Sequence, residues 1–216
     1  GRKLVERLGQ MTLDRVGDAV LVNAQRNRAV LARGKSIAAL RGAPLGVGDT
    51  AVVVGAGPSI RRRDPARWLK EYKGAIVCTD SAIFYLLKNG IVPSLVATVD
   101  AHATRIVRWF GDPSLDKESL ERDDYFRRQD MDASFAAELE TNRQILALLK
   151  EHGPKMKIAV STSASKAVVD RVLDTGMEIF WWNPMMDDPD QPDSVTRGLF
   201  ELNGIPCING GGNVGS

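Results

Sequence analysis

The chain has 216 residues, of which 44% are hydrophobic and 26% are charged, and its net charge is +2 at pH 7. This composition is that of a globular protein with a hydrophobic core, and it excludes a largely disordered chain. The small net charge does not favour a nucleic-acid partner, and we expect none. No apolar run approaches the ~20 residues that cross a bilayer, so we expect no membrane span and a cytoplasmic protein.

The two cysteines of the chain, Cys78 and Cys207, lie far apart, each within an apolar, strand-like run. A disulfide framework would need more cysteines, and the spacing that metal-binding cysteines require is absent. We therefore expect both residues to be buried free thiols in a reducing compartment.

Residues 1–46 are predicted to form an N-terminal helical arm followed by a linker. Apolar residues recur at three- and four-residue steps between Leu4 and Leu40, which predicts helix over about 2–41 and allows a break near Asn23. Glycine and proline are frequent over 42–48, so the helix is expected to end there in a turn-rich linker.

Residues 47–216 show the alternation of strand and helix that is typical of a parallel α/β sheet. Five short apolar runs rich in β-branched residues predict buried strands. We expect a Rossmann-like nucleotide-binding domain, with an open, mostly parallel sheet flanked by helices, whose fold continues past Ser216. The predicted strands cover residues 51–54, 75–79, 95–99, 157–160 and 177–181, with a short sixth strand over 205–208.

The best single indication of a ligand site is the turn Gly55-Ala56-Gly57-Pro58-Ser59, which follows the first of these strands. Gly55 and Gly57 would let the backbone approach an anion closely, and Pro58 would begin a helix whose free N–H groups attract phosphate. Ser59 would add a hydroxyl donor. The turn lacks the lysine of the Walker motif and the later glycine of the dinucleotide fingerprint. A tight strand-to-helix turn without a ligand is the alternative.

Asp80, Asp100 and His102 follow the next two strands, at the edge where parallel sheets bind their ligands. The two aspartates can hold Mg²⁺ against phosphate oxygens or bind a ribose. Asp80 and Ser81 are predicted to bind the nucleotide, although Asp80, followed by Ser81, fits a helix N-cap equally well. Asp100 has no obvious helix to cap, so we expect it to be catalytic. His102 is predicted to act beside it as a general base, or to make a plain polar contact.

Further polar groups lie at the ends of later strands and at the end of the chain. Hydroxyls and amides there can bind a phosphate or a sugar, but the hydroxyls can equally cap the next helix. The C-terminal glycine-rich turn would supply backbone N–H donors, whereas Trp181 and Trp182 are expected in the core. The predicted nucleotide-binding residues of these segments are Ser161, Thr162, Ser163, Asn183, Gly211, Gly212 and Asn213.

Taken together, these motifs resemble the 6-hydroxymethylpterin diphosphokinase MptE-like family. The similarity lies in 52–60 (VVVGAGPSI), 79–82 (TDSA) and 89–100 (NGIVPSLVATVD). The run 211–215 (GGNVG) is similar to the bacterial branch, the motility accessory factor or Maf proteins, and the His-Gly-Asp-Asn segment expected of the archaeal pterin enzymes is absent from the sequence. Ser94 departs from the pattern, because the family usually has an aspartate after the proline.

The Maf resemblance implies a glycosyltransferase that moves a nonulosonic, sialic-acid-like sugar from a CMP-sugar to a protein hydroxyl, such as a serine or threonine of flagellin. The archaeal resemblance implies instead a diphosphokinase that transfers diphosphate from ATP to a pterin alcohol, with Mg²⁺ held by Asp80 and Asp100. A catalytically silent nucleotide-binding domain is the third alternative. In all three cases the expected ligand is a nucleotide or nucleotide-sugar.

Overall fold

The computed structural model describes residues 19–99, 107–122 and 132–207. In these residues, six strands form a single open sheet in the order β1-β6-β5-β4-β3-β2, and all neighbouring strands are parallel. The predicted α/β fold with a parallel sheet flanked by helices is therefore confirmed. The strands are β1 (Lys35–Ser36), β2 (Ala51–Val54), β3 (Ala75–Thr79), β4 (Leu95–Thr98), β5 (Lys157–Ser161) and β6 (Glu178–Trp182).

Helices connect the strands and carry recognisable signals at their ends. They are α1 (residues 19–27), α2 (Pro58–Arg63), α3 (Ala66–Leu69), α4 (Ile83–Lys88), α5 (Lys117–Arg122), α6 (Asp132–His152), α7 (Lys166–Thr175) and α8 (Val195–Asn203). Ser165 caps α7 by accepting the backbone N–H of Val168, and Gly176 ends it in the left-handed conformation (φ 74°). No helix among the described residues is long and apolar enough to cross a membrane.

The N-terminal helix ends earlier than the sequence predicts. In the described residues α1 ends at 27, a 3₁₀ helix spans Arg28–Arg33, and the chain then enters β1. Gly34 permits this because a Cβ there would lie 2.6 Å from Nε1 of Trp181, so glycine lets the backbone lie against β6. The predicted N-terminal helix is therefore confirmed in part: it does not continue to residue 41, and residues 2–18 lie outside the described residues. The predicted domain boundary after residue 46 stays a prediction.

The hydrophobic core lies on one face of the sheet. On this face, side chains in register across β2–β6 are buried, and apolar residues of α4, α6 and α7 join the same cluster. Because β2–β6 are neighbours in chain order and parallel crossovers are right-handed, their connecting helices are expected on this one face. On the opposite face, Val53 of β2 is 60% exposed, whereas Ala159 of β5 and Phe180 of β6 are buried, so among the described residues this face is covered only at β5 and β6. The core side chains in register are Val54, Cys78, Val96, Ile158 and Ile179.

Of two predictions near residue 207, the burial of Cys207 is wrong, and the short strand over 205–208 is seen only in part, because residue 208 lies outside the described residues. In the described residues, 205–207 contribute a single parallel bridge, between Asn183 and Cys207, because β1 occupies the position beside β6. Cys207 is consequently exposed rather than buried, whereas Cys78 is buried as predicted. Both cysteines are free thiols, as predicted.

Candidate functional site

The glycine turn leaves β2 and begins α2 at the carboxyl end of the strand. Gly57 is the N-cap of α2 in an extended conformation (φ −63°, ψ 163°), Pro58 is the first helical residue, and no described side chain caps this end. The backbone N–H of Ile60 donates to the carbonyl of Gly57 over 3.0 Å. Ile60 is buried and residues 56–59 are exposed. The turn is therefore fixed at its helical end and accessible to solvent elsewhere.

Neither glycine of this turn is required by the packing of the described residues. A Cβ at Gly55 would meet no described atom within 4 Å, and one at Gly57 would meet Ser59 Oγ at 3.9 Å. Neither residue has the positive φ that favours glycine. At Gly46, by contrast, a Cβ would lie 2.2 Å from the backbone nitrogen of Ala75. Because glycine carries an entropic cost in a folded chain, two glycines without a packing role are typical of a turn that leaves room for a ligand.

Asp80 follows β3 directly, and two hydrogen bonds hold its carboxylate. Oδ1 accepts the backbone N–H of Ser81 at 2.6 Å, and Oδ2 accepts the hydroxyl of Thr98 at 2.8 Å. The hydroxyl of Ser81 itself lies 3.2 Å from that of Thr79. The bond from Ser81 is local but is not an N-cap bond, because the N-cap of the 3₁₀ turn Asp80–Ala82 is Thr79 and no side chain caps it. The bond from Thr98 joins the ends of neighbouring strands. Asp80 is half-buried and Thr98 is fully buried, so the carboxylate has a defined orientation at the end of the sheet.

Sequence reasoning missed Thr98 because it lies inside an apolar run that predicts a strand. The available signal was its place at the carboxyl end of β4, the strand next to the one that Asp80 follows.

Cys78 lies two residues before Asp80 in the chain and is buried. Burial, and to a lesser extent the charge of Asp80, raises the pKa of its thiol to about 12. Cys78 therefore stays protonated at neutral pH and has no role as a nucleophile.

The predicted residues after β5 and β6 form a buried polar network. The hydroxyl of Thr162 donates to Oδ1 of Asn183 at 2.8 Å, and the hydroxyls of Ser161 and Ser163 lie 2.7 Å apart. All four residues are at most 3% exposed. Asn27 of α1 donates to the carbonyl of Thr162 at 2.8 Å, so the network joins the N-terminal helix to the sheet. These side chains stabilise the fold through their mutual hydrogen bonds, and nucleotide binding by them stays a prediction.

The strand order separates the described candidates into two groups. The glycine turn and Asp80 follow β2 and β3, which are neighbours and lie about 4.8 Å apart. Ser161–Ser163 and Asn183 follow β5 and β6, three and four strands from β2, or roughly 14–19 Å at the same spacing. The first group is compact enough to contact one phosphate group, and a single ligand would have to extend across β4 to reach the second.

Asp187, which the sequence analysis did not single out, caps α8. Its carboxylate accepts the hydroxyl of Ser194 and the backbone N–H groups of Val195 and Thr196 at 2.6–3.1 Å. Burial acts to raise the pKa of Asp187, but the hydrogen bonds from Thr196, Ser194 and the helix backbone together hold it below its usual value. Asp187 therefore has a structural role in the acidic loop before α8.

Five predicted site residues lie outside the described residues: Asp100, His102, Gly211, Gly212 and Asn213. Val99, the residue before Asp100, directly follows β4 and is 49% exposed. In the described parts of the chain, no group of three or more His, Cys, Asp and Glu residues could hold a metal ion. Roles for these five residues stay predictions.

Comparison with known proteins identifies one family that matches this chain. The family model described as 6-hydroxymethylpterin diphosphokinase MptE-like matches residues 22–163, about two thirds of the chain. The matched range contains the glycine turn, Asp80, Thr98 and the serines that follow β5. A comparison with curated proteins gives no match.

Proposed function

The chain belongs to the 6-hydroxymethylpterin diphosphokinase MptE-like family, and from this premise we propose that it is the nucleotide-binding domain of a transferase. The reaction that we propose for it is that of a Maf-type glycosyltransferase. Such an enzyme would move a nonulosonic sugar from a CMP-sugar to a protein hydroxyl, for example on a flagellin-like acceptor. The run 211–215 supports the Maf assignment, because GGNVG resembles the bacterial branch.

The observation that carries this proposal is the open glycine turn between β2 and α2. Gly55 and Gly57 have neither close packing partners among the described residues nor a positive φ. The space beside them allows a phosphate to approach the backbone N–H groups of the turn, which is the chemistry that binds nucleotide phosphates in parallel α/β proteins. Asp80, on the neighbouring strand end, would place a carboxylate beside the bound nucleotide.

In the proposed reaction, a hydroxyl oxygen of the acceptor attacks the anomeric carbon of the sugar while the bond from that carbon to the phosphate oxygen of CMP breaks. His102 takes the proton of the attacking hydroxyl, and Asp100 orients His102 or serves as the base itself. The N–H groups of the glycine turn stabilise the charge on the departing phosphate. The electron pair of the broken bond leaves with CMP.

The family description favours one second candidate, transfer of diphosphate from ATP to a pterin alcohol. Mg²⁺ would neutralise phosphate charge in that reaction. Its preferred ligands are carboxylate oxygens, and Asp80 supplies one carboxylate at the end of β3. Because no acidic cluster of three exists in the described residues, a Mg²⁺ site would depend on Asp100 as the second ligand.

A thermal-shift titration with CMP, CDP, ATP and AMP, each with and without Mg²⁺, tests these assignments. A ligand present at about 100 times its Kd stabilises the native state by ~2.7 kcal/mol. For a chain of this length that stabilisation raises the Tm by roughly 5–10 °C. A shift with cytidine nucleotides in the absence of metal supports glycosyl transfer, and a shift only with ATP and Mg²⁺ supports diphosphate transfer. No shift with any of the four would contradict nucleotide binding.

A turnover assay separates the enzyme from a silent binding domain. Release of CMP from a CMP-nonulosonic acid is measured with a peptide rich in serine and threonine as acceptor. Asp100→Asn is expected to abolish release while leaving the cytidine thermal shift in place. Nucleotide binding without any CMP release, by the wild-type protein, would favour the silent domain instead.

A further inference from the structure

Basic side chains cluster on the surface of α2 and α3. Residues 62–73 contain five basic and two acidic residues, a net charge of +3, whereas the whole chain carries +2. The five basic residues are all exposed, and Trp68 lies among them with 56% of its surface exposed. We call these six residues the basic surface; they are Arg62, Arg63, Arg67, Trp68, Lys70 and Lys73.

The charges of the basic surface are not balanced within the described protein. Elsewhere on the chain, some exposed cations have carboxylate partners, as in the pairs Lys35–Glu178 (2.6 Å) and Arg197–Glu201 (3.6 Å). In the described residues, none of the five basic residues of this surface forms such a pair. The surface therefore presents an uncompensated positive potential to an approaching partner.

Trp68 gives the basic surface an apolar anchor. The guanidinium of Arg67 stacks on its indole ring, 3.9 Å from the ring centroid, and more than half of the Trp68 surface stays exposed to a partner. Ala66 and Leu69 of the same helix are buried, so α3 is held on the protein while Trp68 points outward. Exposed tryptophan and arginine are the side chains that most often contribute strongly to protein interfaces.

The connection between α2 and α3 is fixed in place. Asp64 has a φ of 41°, and it is the single residue other than glycine with a positive φ among the described residues. The hydroxyl of Tyr85, on α4, donates to the carboxylate of Asp64 at 2.6 Å and accepts the backbone N–H of Ala66 at 2.9 Å. The basic surface is thus pre-organised, which lowers the entropic cost of binding.

We propose that the basic surface binds an acidic segment of a partner protein that carries an aromatic or large apolar side chain. The partner's carboxylates pair with the uncompensated arginines and lysines, and its apolar side chain packs on the exposed surface of Trp68. A single-stranded nucleic acid fits less well, because such sites offer several aromatic platforms in succession and Trp68 is one ring with one face covered. This inference goes beyond the proposed function and does not use the glycine turn.

Fluorescence anisotropy with the full chain tests the proposal. The probe is a labelled peptide of about ten glutamates with a central phenylalanine, and its counterpart with glutamines measures binding without charge. Arg67→Glu/Lys70→Glu is expected to weaken binding at least tenfold, and Trp68→Ser about threefold or more. The matched control, Arg33→Glu/Arg41→Glu, makes the same charge change at exposed residues outside the surface and is expected to change the affinity less than about threefold.

The possible outcomes separate this proposal from the nucleotide site. No binding of the acidic peptide, equal weakening by the control variant, or tighter binding of an oligothymidylate of equal charge would each overturn the proposal. The nucleotide thermal shift is measured on the same variants and is expected to stay unchanged in Arg67→Glu/Lys70→Glu. Its loss there would assign the surface to the nucleotide site and overturn the proposal, whereas its absence in the wild-type protein would contradict the proposed function alone.

Discussion

The substitution Gly57→Ser separates a structural role of the glycine turn from a ligand-binding one. Gly57 is the N-cap of α2 and has the extended backbone that serine adopts at this position. Its Cβ would approach Ser59 Oγ at 3.9 Å, an ordinary contact. A serine cap stabilises a helix by a few tenths of a kcal/mol more than glycine. The lower entropy of the unfolded chain adds about 0.4–1 kcal/mol.

We therefore expect Gly57→Ser to be more stable than the wild-type protein by roughly 0.7–1.3 kcal/mol, which raises the Tm by about 1–5 °C. Nucleotide binding is expected to change in the opposite direction, because the new side chain occupies the space through which a phosphate reaches the backbone. We expect a loss of nucleotide affinity of about tenfold, which corresponds to ~1.4 kcal/mol of binding free energy. Urea unfolding measures the first effect, and calorimetric titration with CMP or with ATP and Mg²⁺ measures the second.

Gly46→Ala is the control for this experiment. Its Cβ would lie 2.2 Å from the backbone nitrogen of Ala75, so the chain must shift, and we expect a loss of about 1–3 kcal/mol. If Gly57→Ser were destabilised like Gly46→Ala, the glycine would have a structural role that the described residues do not show. If Gly57→Ser were stabilised and bound nucleotide as tightly as wild type, the argument from free space would be refuted.

Three further predictions concern the neighbouring structure. Asp187→Asn is expected to destabilise the protein by about 0.5–1 kcal/mol at pH 7 in urea unfolding, because the helix cap loses its charge. The native pKa of Asp187 is lowered, so this contribution is present above the unfolded value of ~3.9 and the difference from wild type shrinks as the pH falls below about 4. Thr98→Val is expected to lower the free energy of unfolding by about 1–2 kcal/mol, and by much less in an Asp80→Ala background, because its hydroxyl donates to Asp80. If the losses of the two substitutions were additive in this double-mutant cycle, the coupling across the hydrogen bond would be contradicted. In a thiol-labelling assay of native protein at pH 8, Cys207 is expected to react and Cys78 is not, whereas both react in guanidinium chloride.

The sheet was predictable because its strands carry their own signal. Runs such as 51–54 and 75–79 are short, apolar and rich in β-branched residues, so local preference and burial favour the same state. Strand β1 was not predictable in this way, because Lys35–Ser36 has no apolar pattern and the residues before it favour helix. Its place depends on a tertiary contact, the close approach of Gly34 to Trp181, which no local pattern reveals.

The position of the glycine turn was predictable from the sequence, whereas the hydrogen bonds between side chains at the candidate site were not. Parallel strands expose their carboxyl ends along one edge, so the position of the glycine turn beside Asp80 follows from the strand order alone. The hydrogen-bond partner of a side-chain hydroxyl does not follow from the strand order. Thr162 and Asn183 are 21 residues apart, and their hydrogen bond requires the register of β5 and β6.

The strand order also changes how a ligand can be bound. In doubly wound sheets the crevice for the ligand opens where the strand order reverses and helices pass to opposite faces. Here β2–β6 follow one another in a single direction, and the strand that breaks the sequence, β1, lies beside β6 at the edge far from the glycine turn. No such crevice therefore exists beside β2 or β3 in the described part of the sheet. Among the described residues, phosphate binding near Gly57 therefore relies on the turn's own backbone N–H groups, and a single added side chain there is expected to weaken it.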